Sequence, residues 1–278
     1  MGNSFPAMNS SAPQIPPPTV RDIILLIESE MPPGHPETLD TIKAGDENAA
    51  VTGIATTFMA TLPILRQAVE AGANFVITHE PSFYNHRDET DWLDRDPVYL
   101  AKRRFIDENG LVVWRFHDGW HRIRPDGILL GEEKRLGWES QKIAGEDRIY
   151  RLPEQTVGDV AAHCKTCVGA EWVRVAGDPA MPCRTVGLLP GAVGGKGQIQ
   201  MLMRPDVDLV ICGESPEWET CEYVRDAAAL GQKKALIVLG HANSEEAGMA
   251  YFSDWLRKRM PASLPVTHFV AGDPFRFV

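Results

Sequence analysis

The sequence of 278 residues has no long apolar run, few cysteines and fewer basic than acidic side chains. No apolar stretch approaches the roughly 20 residues that a membrane-spanning helix needs, which argues against insertion into a membrane. The formal net charge of -10 disfavours direct binding of nucleic acid, because Lys and Arg side chains must replace the phosphate counterions. The same excess of acidic groups would attract multivalent cations.

The five cysteines are odd in number and scattered, unlike the disulfide framework of a small secreted protein. We therefore expect a cytoplasmic protein with reduced thiols. Residues 1–18 are rich in Ser, Asn and Pro and lack the basic start and apolar stretch of a signal peptide. This composition predicts a mobile N-terminal arm outside the fold.

The chain repeats an arrangement in which a helix-like stretch, a glycine and a short apolar strand lead to a histidine. The segments ILRQAVEAGANFVITH, LAKRRFIDENGLVVWRFH and CEYVRDAAALGQKKALIVLGH end at His79, His117 and His241. In open α/β folds, ligands bind where the C-terminal ends of the strands leave the sheet. Three histidines at such ends therefore predict one shared pocket.

A second potential ligand follows each histidine closely. The six candidates are His79 with Glu80, His117 with His121, and His241 with Glu245. Imidazole and carboxylate together suit Zn, Fe, Mn, Co or Ni, whereas Ca and Mg prefer oxygen ligands alone. Six side chains are too many for one ion with an open catalytic position, so the set predicts two divalent metal ions. Such spacings are also common by chance, and spacing alone leaves a purely structural role open.

Helix-like and strand-like stretches alternate along most of the chain, which predicts an α/β fold. We expect two intertwined α/β lobes with mixed sheets and the metal centre in the cleft, at the C-terminal ends of the strands. The predicted division is a first lobe over residues 19–138, a small connecting lobe over residues 139–183 and a second lobe over residues 184–278.

Three local predictions concern the elements that carry the candidate ligands. A helix is expected over residues 97–108, because proline suits the first helical turn. Residues 118–127 have the composition of a loop. The last helix is expected over residues 245–260, with Asn243 or Ser244 as its cap.

Glu214 follows a predicted strand, and the glycine-rich segment PGAVGGKG lies before that strand. Glu214 is a candidate general base, or it orients a ligand histidine; a surface or helix-capping role is equally open. The glycine-rich segment misses the phosphate-binding pattern, because its glycine spacing is one short and Gly197 stands where Ser or Thr should follow the lysine. We expect a tight turn that lets the backbone approach the pocket.

Cysteine and tryptophan side chains near these segments are expected to lie in the core. Cys164 and Cys167 superficially suggest a redox or zinc site, but no second cysteine pair completes one and their spacing suits a buried helix face. Trp114, Trp120 and Trp138 flank the second histidine. Aromatic walls of a substrate pocket are conceivable there, and plain burial is favoured.

The segments THEPSF, RFHDGWH, LPGAVGG, CGES and VLGHANSEE resemble, in this order and separation, the Nif-three-like dinuclear metal-centre proteins, which include type-two GTP cyclohydrolase-like proteins. The resemblance covers the chain from about Thr19 to the final helix, and its most specific part is the pattern Gly-His-x-x-x-Glu from Gly240 to Glu245. It implies a homo-oligomer, often a ring of six. It also implies that four of the candidates are metal ligands, namely His79, His117, His241 and Glu245.

Two positions depart from the family pattern. Glu80 stands where the family usually has a second histidine, and His121 stands where it usually has an aspartate. The total of four imidazoles and two carboxylates is unchanged, so we interpret the departures as a compensated swap. The alternatives are that one site has decayed, or that Asp118 or Asp126 supplies the missing carboxylate.

The expected function is hydrolysis by a dinuclear metal centre, with a small cyclic amide or amidine, a nucleotide or a phosphoester as substrate. Glu214 or a metal-bound carboxylate would manage the proton. The alternative is a metal-storing or regulatory interaction protein without catalysis. A small molecule and further copies of the chain are the expected partners, and the acidic balance argues against nucleic acid and membranes.

Overall fold

The computed structural model of the chain describes residues 16–276 and residue 278, which form two five-stranded sheets surrounded by helices. Most of the predicted N-terminal arm, residues 1–15, lies outside the described residues. The strands are β1 (Ile42–Ala44), β2 (Ile54–Thr57), β3 (Phe75–Thr78), β4 (Val112–Arg115), β5 (Ile149–Thr156), β6 (Arg174–Ala176), β7 (Pro182–Leu189), β8 (Leu209–Cys212), β9 (Ala235–Val238) and β10 (Val266–His268). The helices are α1 (Val20–Ser29), α2 (Leu62–Glu70), α3 (Pro97–Glu108), α4 (Asp118–Arg122), α5 (Gly127–Leu136), α6 (Val157–Val168), α7 (Gly195–Leu202), α8 (Glu222–Ala229) and α9 (His241–Arg257).

Both sheets are mixed. The first has the strand order β1-β4-β3-β2-β10, with β1 antiparallel to β4 and the other neighbours parallel. The second has the order β5-β7-β8-β9-β6, in which β7, β8 and β9 are parallel and the outer strands are antiparallel. The α/β class with two mixed sheets, predicted from the alternation of elements, is confirmed.

The C-terminal part of the chain returns to the first sheet. β10 pairs with β2, and Met249 and Phe252 of α9 lie in the core of the first sheet. Leu129 of α5 lies in the core of the second sheet. The helices α5 and α9 touch where a Cβ on Gly131 would lie 2.5 Å from the Cα of Gly248. This close crossing connects the two cores, while the predicted lobe boundaries stay a prediction.

The regular elements follow from local sequence signals. The strands β3, β8 and β9 are buried along their whole length, which explains their continuous apolar runs. Thr19 and Asp22 form a capping box at the start of α1. The helix predicted over residues 97–108 is α3, where Asp96 caps the backbone and Pro97 occupies the first turn.

The loop predicted over residues 118–127 is wrong, because this segment holds the helix α4 and the start of α5. The side chain of Asp40, far away in sequence, stabilises α4. Its carboxylate accepts the backbone N–H groups of His117, Asp118 and Gly119 at 2.7, 2.8 and 2.7 Å. A carboxylate at a helix N-terminus satisfies amides that have no partner inside the helix. No local pattern announces such a distant cap.

The last helix begins at His241, four residues earlier than predicted. Gly240 precedes it with φ +95°, and the Ser244 N–H donates to the Gly240 carbonyl at 3.1 Å. Neither predicted cap serves the helix start. The Asn243 amide donates to Leu239 O at 2.8 Å, and the Ser244 hydroxyl donates to His241 O at 2.8 Å. The first candidate ligand of this segment is therefore a helical residue.

The expected core residues are buried. Trp114, Trp120 and Trp138 are at most 5% exposed. Trp114 and Trp120 lie in the core of the first sheet, and Cys164 is fully buried with Trp138 in the core of the second sheet. Cys167 packs against the same cluster. Across the part of the chain that the structure describes, no helix is both long and apolar enough to span a membrane.

Candidate metal centre

The structure brings the six predicted ligands together at the C-terminal ends of strands from both sheets. Three short segments carry them. One follows β3, the next follows β4 and enters α4, and the third is the first turn of α9, which follows β9. His241 and Glu245 are four residues apart on α9 and share one face, whereas His117 immediately precedes α4 and His121 lies within it. The six residues are His79, Glu80, His117, His121, His241 and Glu245.

Three of the histidines form a compact cluster. The ring centroid of His79 lies 4.6 Å from that of His117 and 4.9 Å from that of His121, and the last two are 4.7 Å apart. Their ligand atoms all lie within 4.8 Å of one another, so these imidazoles could hold a metal ion. A second group of the same compactness consists of His79, Glu80 and Glu245. The buried His79 belongs to both groups.

The two carboxylates lie between the histidine cluster and His241. Glu80 Oε1 is 3.7 Å from His117 Nε2 and 3.6 Å from His241 Nε2. Glu245 Oε2 is 3.5 Å from His79 Nε2 and 3.1 Å from His241 Nε2. Each carboxylate thus faces imidazoles of both sides, which is the position of a group that could contact two ions.

Each of the four imidazoles has a hydrogen-bond partner at its other nitrogen. The Nδ1 atoms lie 3.2 Å from Phe116 O for His79, 2.9 Å from Asp118 for His117, 3.1 Å from Asp126 for His121 and 2.9 Å from Glu214 for His241. A partner at Nδ1 fixes the ring and leaves Nε2 for a metal. Asp118 and Asp126 therefore lie on the rear side of the rings, where they orient histidines.

The chemistry of the cluster fits a cation. His79 Nε2 is buried and has no hydrogen-bond partner among the described residues. Burial, and then the neighbouring His117 and His121, hold the pKa of His79 well below its usual value, so the ring offers a lone pair. Burial and the nearby Glu245 carboxylate raise the pKa of Glu80. An unpartnered nitrogen and two crowded carboxylates are stabilised by a metal ion between them.

The imidazole of His241 lies against two carboxylates. Burial disfavours the charged ring, but the hydrogen bonds that the Glu214 and Glu245 carboxylates accept from the imidazole outweigh burial and raise the pKa of His241 to about 10. Glu214 is exposed, and the His241 contact lowers its own pKa. The Glu214 carboxylate contacts Nδ1 of His241, which agrees with the role of orienting a ligand histidine that the sequence left open for it. A metal ion would have to displace the proton on Nε2.

Two residues that the sequence did not single out hold the ligands in place. The fully buried Arg115 donates from Nε to His79 O at 3.0 Å and from Nη2 to Glu80 Oε2 at 3.4 Å. Glu80 is therefore turned with Oε2 on the guanidinium and Oε1 towards the histidines. Asp40 fixes the start of α4, which carries His121. Arg115 is the first residue of the segment RFHDGWH, and this was the only local signal for it. No local signal pointed to Asp40.

The glycine-rich segment approaches the ligands with its backbone, as its sequence predicted. Gly191 has φ +75°, and a Cβ there would lie 2.1 Å from Glu245 Oε1. A Cβ on Gly213 would lie 2.4 Å from Ser244 Oγ. The Gly191 N–H donates to the same Ser244 hydroxyl at 2.9 Å. A side chain at Gly191 would displace the Glu245 carboxylate, and one at Gly213 would also meet the Gly191 backbone.

Comparison with known proteins identifies the family. The family model described as Duf34/NIF3 (NGG1p interacting factor 3) matches residues 18–273. The chain belongs to this family. A Clostridium perfringens protein named GTP cyclohydrolase 1 type 2 homolog is 24% identical over 271 residues, which cover 93% of this chain and 99% of the relative. A Clostridium acetobutylicum protein of the same name is 23% identical over 275 residues, with 93% and 98% coverage. The resemblance inferred from the motifs is confirmed.

Solved structures share the fold. A crystal structure described as a Bacillus cereus protein related to NIF3 superposes with a TM-score of 0.77 at 16% identity and covers 94% of this chain and 99% of that chain. A hypothetical protein from Staphylococcus aureus superposes with a TM-score of 0.75 at 17% identity, with 94% and 100% coverage. Members of the Duf34/NIF3 family thus share the two-sheet architecture found in this chain.

Proposed function

We propose that the chain binds two divalent metal ions through its four histidines and two glutamates and uses them to hydrolyse a small substrate. The observation that carries the proposal is that every candidate imidazole is held at Nδ1, while two carboxylates lie between the opposing rings. An accidental cluster of histidines would not orient all of its rings in this way.

The donor set divides between two ions. His79, His117 and His121 suit one ion, and His241 suits the other. The two carboxylates lie between these groups and suit both ions. Zn, Fe, Mn, Co and Ni all accept this mixture of nitrogen and oxygen donors.

The compensated swap is supported by where its two residues lie. Glu80 faces His117 and His241, and His121 stands within the histidine cluster. The rival carboxylates of Asp118 and Asp126 are occupied at the rear nitrogens of histidines. Arg115 holds Glu80 in this orientation, which a decayed site would not need.

Two cavities meet at the candidate centre and offer room for a substrate. Cavities of about 590 and 640 Å³ share Met59, Thr61, Glu214 and His241 in their walls. Both volumes suit a small organic molecule. Bound ions at this place lower the pKa of water and polarise a carbonyl, amidine or phosphoryl oxygen. Glu214 reaches both cavities and can take up or release a proton there, besides holding His241.

Metal analysis tests the proposal. Elemental mass spectrometry should find two metal ions per chain in the purified wild-type protein and fewer in His241→Ala. His163→Ala is the matched control, because His163 Nε2 bonds to Leu136 O away from the six ligands. Fewer than two ions per wild-type chain would reject the swap.

Activity separates the enzyme from a metal-storing or regulatory protein. A screen of cyclic amides, purine nucleotides and phosphoesters should show turnover that a chelator abolishes and that His241→Ala lacks. Two tightly held ions without any turnover would favour storage or regulation. The proposal includes a cytoplasmic location and a homo-oligomer of up to six subunits, with neither nucleic acid nor membrane as partner. Light scattering of the purified protein would give the number of subunits.

A further inference from the structure

The larger of the two cavities is lined by the buried ammonium group of a lysine. Lys102 of α3 lines the cavity of about 640 Å³ together with Glu80 and His241, and only 5% of its surface is exposed. Its ammonium donates to Ser82 O at 2.6 Å and lies 5.6 and 5.5 Å from the ring centroids of Phe83 and Tyr84. Among the described residues it forms no ion pair.

The acidic side chain whose field acts on Lys102, Asp88, already contacts two other cations. The buried Asp88 carboxylate lies 3.5 Å from Lys43 Nζ and 3.6 Å from Arg115 Nη1, and its other oxygen accepts the Phe83 N–H at 2.8 Å. Its field still acts on Lys102, yet burial dominates and lowers the pKa of that ammonium to about 8. A buried charge without a counterion is costly. An anion from solution would offset this cost.

A second buried donor lines the same cavity. Ser82 is 1% exposed, and its Oγ has no hydrogen-bond partner in the part of the chain that the structure describes. A buried hydroxyl without a hydrogen-bond partner destabilises the fold, because it has lost its bonds to water. The lysine and the serine are adjacent, since the ammonium contacts the serine carbonyl. The ammonium thus lacks a counterion and the neighbouring hydroxyl lacks a hydrogen-bond partner among the described residues, in a cavity that also contains candidate metal ligands.

We propose that Lys102 and Ser82 form a subsite for a phosphoryl group of the substrate. This inference rests on the proposed function and narrows its substrate class to phosphate-bearing molecules. An ammonium binds phosphate as a point charge, and the serine hydroxyl donates to a second phosphate oxygen. The neighbouring cavity, with Phe58, Leu239 and Phe275 in its wall, would take the apolar part of the same molecule.

Calorimetric titration of inorganic phosphate into the protein as purified tests the subsite. Lys102→Met removes the charge at similar volume and should weaken phosphate binding at least about tenfold, and Ser82→Ala should weaken it about five- to tenfold through the lost hydrogen bond. Lys102→Arg keeps the charge and should retain part of the affinity. Lys258→Met, which removes an exposed lysine of the chain, should bind like the wild type.

The metal content of each variant separates this inference from the proposed function. Phosphate bound to metal ions alone would be lost on chelation and insensitive to Lys102→Met and Ser82→Ala, and that result overturns the subsite. Wild-type protein with fewer than two ions but a Lys102-dependent phosphate affinity would retain the subsite and reject the dinuclear centre. If Lys102→Met does not fold, Ser82→Ala decides, and unchanged phosphate affinity in that variant overturns the inference.

Discussion

The Asp40 carboxylate should stabilise both the fold and the candidate metal centre, although it is not among the proposed ligands. Asp40→Ala leaves three backbone N–H groups at the start of α4 without their acceptor, at contacts of 2.7, 2.8 and 2.7 Å. Hydrogen bonds to a charged group contribute about 1.5–3 kcal/mol each. The site is half-buried, so water replaces part of the loss. We expect the free energy of unfolding to fall by about 2–4 kcal/mol, above the usual range for a single helix cap.

Metal affinity should fall together with stability. His117 precedes α4 and His121 lies within it, so a frayed first turn moves two of the three clustered imidazoles. Loss of groups that orient ligands typically weakens metal binding by about 10- to 100-fold. Urea unfolding in chelator measures the first effect, and metal titration of the chelated protein measures the second.

A matched substitution separates the cap from the loss of an aspartate. Asp46→Ala removes an exposed carboxylate that accepts one local backbone N–H, from Asn48 at 2.9 Å. It should cost less than about 1 kcal/mol and leave metal binding unchanged. The reasoning is refuted if Asp40→Ala behaves like this control in both measurements.

Three further outcomes are expected. Burial raises the pKa of Glu132 to about 8, so the folded chain keeps a proton that the unfolded chain releases near pH 4.5, and the free energy of unfolding should fall as pH rises between these values. In urea unfolding, Glu132→Gln should flatten this pH dependence and raise the free energy of unfolding by up to about 3 kcal/mol at pH 7, and an unchanged slope would contradict the reasoning. Gly191→Ala should deplete bound metal, because its Cβ would lie 2.1 Å from Glu245 Oε1, while Gly194→Ala, with φ +84° but no atom within 4 Å, should keep its metal. Glu214→Gln should weaken metal binding by about tenfold or more in metal titration, unless the carboxylate behind His241 has no orienting role.

The sequence predicts most of the elements that deliver the ligands. Parallel strands buried on both faces are continuous apolar runs, and the glycine before each strand and the histidine after it mark its ends. Helix ends with a local cap were predicted closely, as for α3 and its cap Asp96. The parallel direction of β3 and β4 brings His79 and His117 to one edge of the first sheet. His241 follows β9 of the second sheet and meets them only because the two sheets pack together. These signals all lie within a few residues of the feature that they predict.

The missed features depend on contacts between distant segments. Asp40 lies about 80 residues before α4 in the sequence and caps its start. Residues 118–122 are therefore helical although their composition predicted a loop. Arg115 is a fully buried charged residue at the end of a buried strand, so the periodicity of the sequence could not reveal that it orients Glu80. β10 joins the first sheet from the far end of the chain. Only the assembled fold defines such partners.

The proposed compensated swap requires that Glu80 be held in place as a ligand where the family usually has a histidine. A carboxylate needs one oxygen for the centre and a partner for the other, and Arg115 at 3.4 Å supplies that partner. On the opposite side, His121 needs a fixed ring, and Asp126 supplies it at 3.1 Å from Nδ1. Each departure from the family pattern is thus accompanied by a residue that holds the new side chain in place. The Arg115–Glu80 and Asp126–His121 contacts both involve buried or half-buried charges. Removing one partner of either pair would leave the other charge buried without a partner. The exchange of imidazole for carboxylate therefore involves four residues, and a change to any one of them disturbs the orientation of a candidate ligand.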